Sequence, residues 1–336
     1  MDVSTAQLRQ VVDEESARLW HLVDEATRAH DHPADPLGEV LPRVMAAAAT
    51  GDRTELWVGV DGGEPVVSGE LVFPVLDNDA NASIEVRVLD DHRRMGHGSA
   101  MLRHLIDRAR AGSRRRLFGE IEEPLDDPDG SPGVAFARAV GARPVLTEIR
   151  RVLDVAQLDD ELLESLMRDA WKHAEGYSLV QWIDHAPDEV VDDLAELMGR
   201  MSTDAPLEEM QWDPERYDAA RVRASEAQTV AQGRRRVVTA ARHDASGRLA
   251  GHTELGVNRG RPRVAYQWDT IVREDHRGHR LGMLLKAANL RLLRESTPGV
   301  EIVNTWNAEI NVHMIAINEA LGFRAVNRER QWELSI

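Results

Sequence analysis

Two short basic turns limit what this chain can fold into more than any other feature. DDHRRMGHGSA spans 90–100, and EDHRGHRLGML returns at 274–284. Arg93 and Gly98 recur as Arg277 and Gly282, an offset of 184 (277 − 93). The match spreads outward in order. SGELVF (68–73) is echoed by HTELGV (252–257), with Glu70 and Glu254 at the same offset of 184 (254 − 70). FARAVGARPVLTEIRRVL (136–153) is echoed by INEALGFRAVNRERQWEL (317–334), with Gly141 and Gly322 offset by 181 (322 − 141). Three matched segments in one order indicate a duplicated domain. A length of 336 residues is too great for one core and suits two. The expected division is one copy over 1–158, a connecting helix over 159–176 (from DDELLESLMRDAWKHAEG) and a second copy over 177–336.

Each copy mixes two periodicities. ELWVGV, PVVSGELVFP and ASIEVRVL read as strands, the first two joined by a DGG turn. SAMLRHLIDRAR places Met101, Leu102, Leu105 and Ile106 on one helical face. RRLFGEIE is a further strand, and GVAFARAVGA a helix closed by Gly141. The second copy repeats the series through RRVVTAARHD, LAGHTELGV, RVAYQWDTIV, GMLLKAANLRLLRE, VEIVNTWN and a helix ending at Leu321-Gly322, with YSLVQWI as its leading strand. The opening 50 residues of the first copy read as helices without a matching leading strand. The fold class expected is α+β: an α/β sandwich in each copy, with a mixed, mostly antiparallel sheet flanked by helices.

Charge and cysteine usage exclude several functions. A formal charge of −17 argues against a nucleic-acid partner and against anionic membranes, and suits a cationic substrate. The chain has no cysteine, which removes disulfides, thiolate metal sites and a covalent thioester intermediate. The acidic start MDVSTAQLRQVVDEESARLW lacks the basic and apolar regions of a secretory signal, and no apolar run reaches the ~18 residues of a membrane span. A cytoplasmic protein is expected. His92, His97, His276 and His279 flank the two turns without metal-ligand spacing, so no metal is expected.

A strand, a loop of arginine and glycine, and then a helix can hold a diphosphate. The loop amides and the positive helix end attract the anion, and glycine lets the backbone approach it. On these residues the chain resembles the GNAT superfamily of acyl-CoA N-acyltransferases, in the tandem layout of mycothiol synthases. That family's loop is Gln/Arg-x-x-Gly-x-Gly/Ala. Arg93-Arg94-Met95-Gly96-His97-Gly98 fits it in full; Arg277-Gly278-His279-Arg280-Leu281-Gly282 has Arg280 in the place of the middle glycine. The family's Asn-x-x-Ala helix ending in Leu-Gly-Phe is matched by Asn311, Leu321, Gly322 and Phe323, with Met314 for the alanine.

The resemblance implies a V-shaped opening between two parallel strands, with acetyl-CoA as the acyl donor. Its pantetheine arm would lie along Val86, Arg87 and Val88 in the first copy, or Thr270, Ile271 and Val272 in the second. The loops, with Ser99 after the first and Asn311 in the second copy, would complete the coenzyme contacts. The acyl group would pass directly to an amine. That amine must lose a proton, so a carboxylate near the thioester is needed. Glu254 is the preferred base, with Asp269 beside it and Gln267, Trp306 and Asn307 around it; Glu70 and Glu85 are the first-copy equivalents. Where the family often has a tyrosine acid, this chain has Asn318 and Ala137. Asn318 donates a hydrogen bond but gives up no proton. The segment 201–228, with Trp212 and Tyr217, is expected as a substrate-side flap or a capping helix pair.

The expected function is an acetyl-CoA-dependent N-acetyltransferase acting on a small-molecule primary amine, as a monomer or homodimer, with chemistry in the C-terminal copy. The N-terminal copy would bind coenzyme or serve as a scaffold. A non-catalytic acyl-CoA-binding or sensing protein is the alternative, and within the enzyme class a mycothiol synthase-like acetyltransferase or one acting on antibiotics or biosynthetic intermediates.

Overall fold

In the computed structural model, which describes residues 6–29, 31–45, 52–204 and 206–336, the expected strands and helices appear in the expected order. The chain divides into two units. The first comprises 1–147, 208–211 and 329–336; the second comprises 148–207 and 212–328.

The first unit begins with a strand absent from the sequence reading, β1 (Gln7–Gln10), then α1 (Glu14–Thr27) and α2 (Leu37–Met45). Strands β2 (Asp52–Asp61), β3 (Glu64–Pro74) and β4 (Asn81–Val88) form an antiparallel meander, with β1 antiparallel on β2. A 3-10 turn at Asp90–His92 leads into α3 (His97–Ala111), followed by β5 (Arg116–Glu123), α4 (Pro132–Ala139) and β6 (Arg143–Asp154). β4 and β5 are parallel, and they pair only where Asn81, Ala82 and Ser83 meet Arg116, Leu117 and Phe118. Beyond Ser83 the two strands part. One face of the sheet packs on α3 through Leu71, Phe73, Met101, Leu105 and Leu117. The other carries α1 and α2 through Trp20, Val40, Leu56 and Val58. Each such side chain contributes about 2 kcal/mol of burial.

The second unit repeats the plan. It contains α5 (Asp160–Trp171), β7 (Tyr177–Ile183), α6 (Val191–Asp204), α7 (Ala219–Ala231), β8 (Arg234–His243), β9 (Leu249–Asn258) and β10 (Val264–Val272). A second 3-10 turn, Glu274–His276, precedes α8 (Leu281–Ser296), β11 (Ile302–Ala308), α9 (Val312–Ala320) and β12 (Arg324–Ser335). β10 and β11 are parallel over three pairs, Val264–Ile302 to Tyr266–Asn304, and then part as their counterparts do. β9 is buried along its whole length, because α8 with α5 covers one face of the sheet and α6 with α7 the other. The helix expected as a connector is α5, whose Leu163 and Met167 join the core beneath α8.

Both units therefore share one architecture, α+β, with mixed and mostly antiparallel strands. The last strands are shared out unusually. Residues 148–154 of β6 pair with β11 in the second unit, while 329–336 at the end of β12 belong to the first. There the backbone amide of Ile336 bonds Arg115 O at 2.9 Å, and Arg330 grips the buried Glu123 carboxylate with contacts of 2.6 to 2.8 Å.

Candidate active site

Parting of β4 from β5 opens a cavity of about 760 Å³ within the first unit. The RRMGHG loop forms one end of it. Arg93, Arg94, Gly96, Gly98 and Ser99 line the wall, as do Val86, Arg87 and Val88 of β4. Met95 projects into solvent, and His97 turns inward beneath the loop with Nε2 3.6 Å from Asp61. α3 has no side-chain cap at its N-terminus, so its first amides are left for another acceptor. Arg93 folds back onto Val88 O (3.3 Å) and Asp90 (2.6 Å), whereas Arg94 has no ion pair with any described residue. An open cavity, free helix amides and an unpaired guanidinium fit a diphosphate.

Apolar groups line the cavity as well: Leu102 from α3, Ile121 from β5, and Phe136 and Ala137 from α4. Carboxylates also line it, namely Glu85, Glu120, Glu122 and Glu329, with Arg28 and His32. Glu85 stands opposite Glu70 in the register. Arg28 bonds Glu85 at 2.8 Å and Asp24 at 2.9 Å; Arg43 bonds Glu70 at 3.1 Å. The two glutamates are driven apart. Burial raises Glu70 above the ordinary carboxylate range, against the pull of Arg43. Burial also works on Glu85, but Arg28 and Arg87 outweigh it and hold its carboxyl low. Arg28, just past the end of α1, and Arg43 on α2 carried no sequence signal, since an arginine on or beside an amphipathic helix reads as solvated surface.

In the second unit Glu254 and Asp269 share the face covered by α6 and α7. A bulge between Gln267 and Thr270 turns Asp269 to that face. Arg236 lies 3.4 Å from Glu254. Burial raises Glu254, and pushes Asp269 up to about 7 with the Glu254 charge as the second cause. Gln267 donates to Thr253 Oγ1 (3.1 Å) and Glu254 O (2.6 Å). Tyr266 and Trp306 stack with centroids 6.2 Å apart. Asn318 is fully buried and donates to Asn307 Oδ1 at 2.5 Å, and Asn311 caps α9 by accepting from Met314 N at 3.3 Å. His252, also on β9, is buried with both ring nitrogens unpartnered, and burial lowers it to about 4. In the segment 201–228, Trp212 Nε1 bonds Glu215 at 3.0 Å and Tyr217 stacks under Arg221.

The second loop keeps the backbone of the first. Arg94 and Gly96 have φ of 64° and 91°; Gly278 and Arg280, at the matching places, have 89° and 55°. Arg277 Nε reaches Val272 O at 3.3 Å, as Arg93 reaches Val88 O. Its cations, however, are engaged. Arg280 pairs with Asp169, Arg277 with Asp204 at 3.3 Å, and His279 Nδ1 lies 3.1 Å from His173 O. Thr270 bonds Thr253 at 2.7 Å, and Ile271 and Leu281 are buried. No cluster of three or more His, Asp or Glu is placed to hold a metal among the described residues. No helix among them is long and apolar enough to cross a membrane.

A twice-built sandwich with parted parallel strands and an amide-lined loop is the arrangement that the resemblance to acyl-CoA acyltransferases implies. The sequence profile of the Acetyltransferase (GNAT) family matches residues 18–128 and again 193–323. A tandem GNAT protein from the clavulanic acid biosynthesis pathway, solved without acetyl-CoA, is 30% identical over 98% of both chains with a TM-score of 0.78. The fold is shared with a GCN5-related N-acetyltransferase from Sphaerobacter thermophilus (14% identity, 100% and 96% coverage, TM-score 0.65). It is shared too with a glucosamine N-acetyltransferase region of a fungal multi-domain β-N-acetylglucosaminidase (14%, 98% of this chain and 38% of that one, 0.68). No curated protein sequence matches the chain. The chain belongs to the GNAT acetyltransferase family, with the domain present in tandem.

Proposed function

We propose that the protein is an acetyl-CoA-dependent N-acetyltransferase for a small primary amine, and that the first unit holds the coenzyme. The supporting observation is the 760 Å³ cavity, lined by the basic loop and by the carboxylates Glu85, Glu120, Glu122 and Glu329. When bound, acetyl-CoA supplies the acetyl group as an activated thioester. Arg93, Arg94 and the amides at the start of α3 hold the diphosphate, and the β4 edge at Val86, Arg87 and Val88 lies along the pantetheine. Leu102, Ile121 and Phe136 keep water from the reacting end. Glu85, held ionised by Arg28, attracts the ammonium form of the acceptor. Glu70 does not itself line the cavity but stands opposite Glu85 in the register, and with its carboxyl raised by burial it is the base we assign to the amine proton. An acceptor from a biosynthetic pathway, as the clavulanic acid relative suggests, is the class we favour.

A second reading places the chemistry in the second unit on Glu254 and Asp269, with Asn318 as hydrogen-bond donor. It is favoured by Asp269 titrating near neutrality, where a general base works best. Calorimetry with acetyl-CoA, then a thiol-release assay over an amine panel, tests both. Arg93→Glu should abolish coenzyme binding and Arg277→Glu should spare it. Glu85→Gln should raise KM for the amine, and Glu70→Gln should lower kcat. Loss of turnover in Glu254→Gln with Glu70→Gln unaffected would move the reaction to the second unit. Binding without thiol release on any amine would make the chain a coenzyme-binding protein instead.

A further inference from the structure

The duplication lets each unit serve as a control for the other. Four residues after the last loop glycine, Leu102 lines the first cavity; the same step from Gly282 lands on Lys286. One residue after the late glycine, Ala142 lines that cavity, and its counterpart is Phe323. Ala137 corresponds likewise to Asn318. Arg116 and Ile302 open equivalent parallel ladders, so Ile121, five residues on, corresponds to Asn307. The pairing of side chains agrees with this alignment. Ile121 packs against the cluster that holds Ala137, and Asn307 bonds Asn318. Three of these four positions are apolar in the first unit and polar in the second.

Lys286 is 1% exposed and has no hydrogen bond or ion pair with any described residue; its Nζ lies 5.6 Å from the Phe323 ring centroid. Of the 41 basic residues in the chain only two are lysines, 172 and 286. Arginine in that place would keep its charge, whereas a buried lysine sheds its proton and regains it beside an anion. Asn318 Oδ1 is buried and without a hydrogen-bond partner. The loop offers a diphosphate little, because Arg277 and Arg280 already face Asp204 and Asp169. A Cβ on Gly282 would meet Ile317 Cδ1 at 3.1 Å.

We propose that the cleft of the second unit takes a small hydroxy or amino acid in place of the coenzyme, its carboxylate against Lys286 Nζ and its donor group against Asn318 Oδ1. Burial alone holds Lys286 down at about 7, so an arriving carboxylate draws a proton onto it. The proposal stands whether or not the first cleft takes acetyl-CoA.

The test uses the full chain labelled with 13C at the lysine ε carbon, which gives one signal for each of the two lysines. L-malate and L-glutamate are the probes. One of them should shift the Lys286 signal saturably, leave Lys172 in place and raise the Lys286 pKa by about one unit or more. Lys286→Met should weaken that probe at least about tenfold in calorimetry. Because Lys286→Met can fail to fold, the wild-type titration decides alone. A Lys286 signal unmoved by both probes at roughly 10 mM, the weak end of small-ligand binding, overturns the proposal. So does unchanged affinity in a folded Lys286→Met variant, or a Lys286 shift caused by acetyl-CoA that Arg277→Glu removes and Arg93→Glu spares.

Discussion

Asp269→Asn should make the protein more stable at alkaline pH, and the structure sets the size of the effect. Asp269 is half-buried, and its carboxyl rises from 3.8 to about 7 because burial penalises the anion and Glu254 and Glu215 repel it, with Arg236 opposing. Below pH ~4 both the folded and the unfolded chain hold this proton. Between ~4 and ~7 the unfolded chain has lost it and the folded chain keeps it, so stability falls as pH rises through that window and is flat above it. At about 1.36 kcal/mol per unit, the full span of about three units gives a ceiling of about 4 kcal/mol. About two of those units lie above pH 5, so about 2–3 kcal/mol is expected between pH 5 and pH 8. Asparagine has no proton to lose, and removing the charge also relieves Glu254, whose own rise has the same sign. Urea denaturation of both proteins from pH 5 to 8, followed by tryptophan fluorescence, should show the variant gaining on wild type by that amount. Parallel stability curves, or a difference that changes by less than about 0.5 kcal/mol, would refute the reasoning.

Three further outcomes follow from the packing. A Cβ on Gly256 would sit 2.2 Å from Trp268 Cζ2, against a ring rather than a flexible chain end, so Gly256→Ala should cost about 1–3 kcal/mol in thermal or urea denaturation; a neutral result would mean the ring moves freely. Arg280→Gly removes a left-handed arginine at φ 55°, worth about 1 kcal/mol, against an exposed pair with Asp169 worth about 0–1 kcal/mol, so melting temperature should hold or rise, and a clear fall would contradict this. Deleting 329–336 removes Trp332, Arg330 and the cavity-lining Leu334 from the first unit, so acetyl-CoA binding should be lost in calorimetry; retained binding would show that this strand is dispensable there.

The sheet was legible because its strands alternate with period two and its turns carry glycine; YSLVQWI is β7 residue for residue. β1 was not, since QLRQ has one half-buried residue and three exposed, and four residues held only by pairing on β2 leave no apolar pattern. The assignment of 329–336 to the first unit was equally silent. A strand's own sequence records which of its faces is buried, and nothing in ERQWELSI says which unit buries it. The arginines facing Glu70 and Glu85 escaped for a related reason: their partners are distant in sequence, and only the fold brings the charges together.

The two loops show where sequence matching and structure measure different things. Arg280 breaks the glycine pattern, yet the backbone does not change, because both loops need two left-handed residues and each supplies one from glycine and one from arginine. The departure is felt in the side chain. Arg280 turns to Asp169, Arg277 to Asp204, and two helix turns away the cavity-lining leucine has become a lysine. Loop shape is therefore a poor guide to whether a cradle still grips an anion. The free charge at its rim and the polarity of the residues behind it differ between the two units of this chain, while their strands and turns stayed alike.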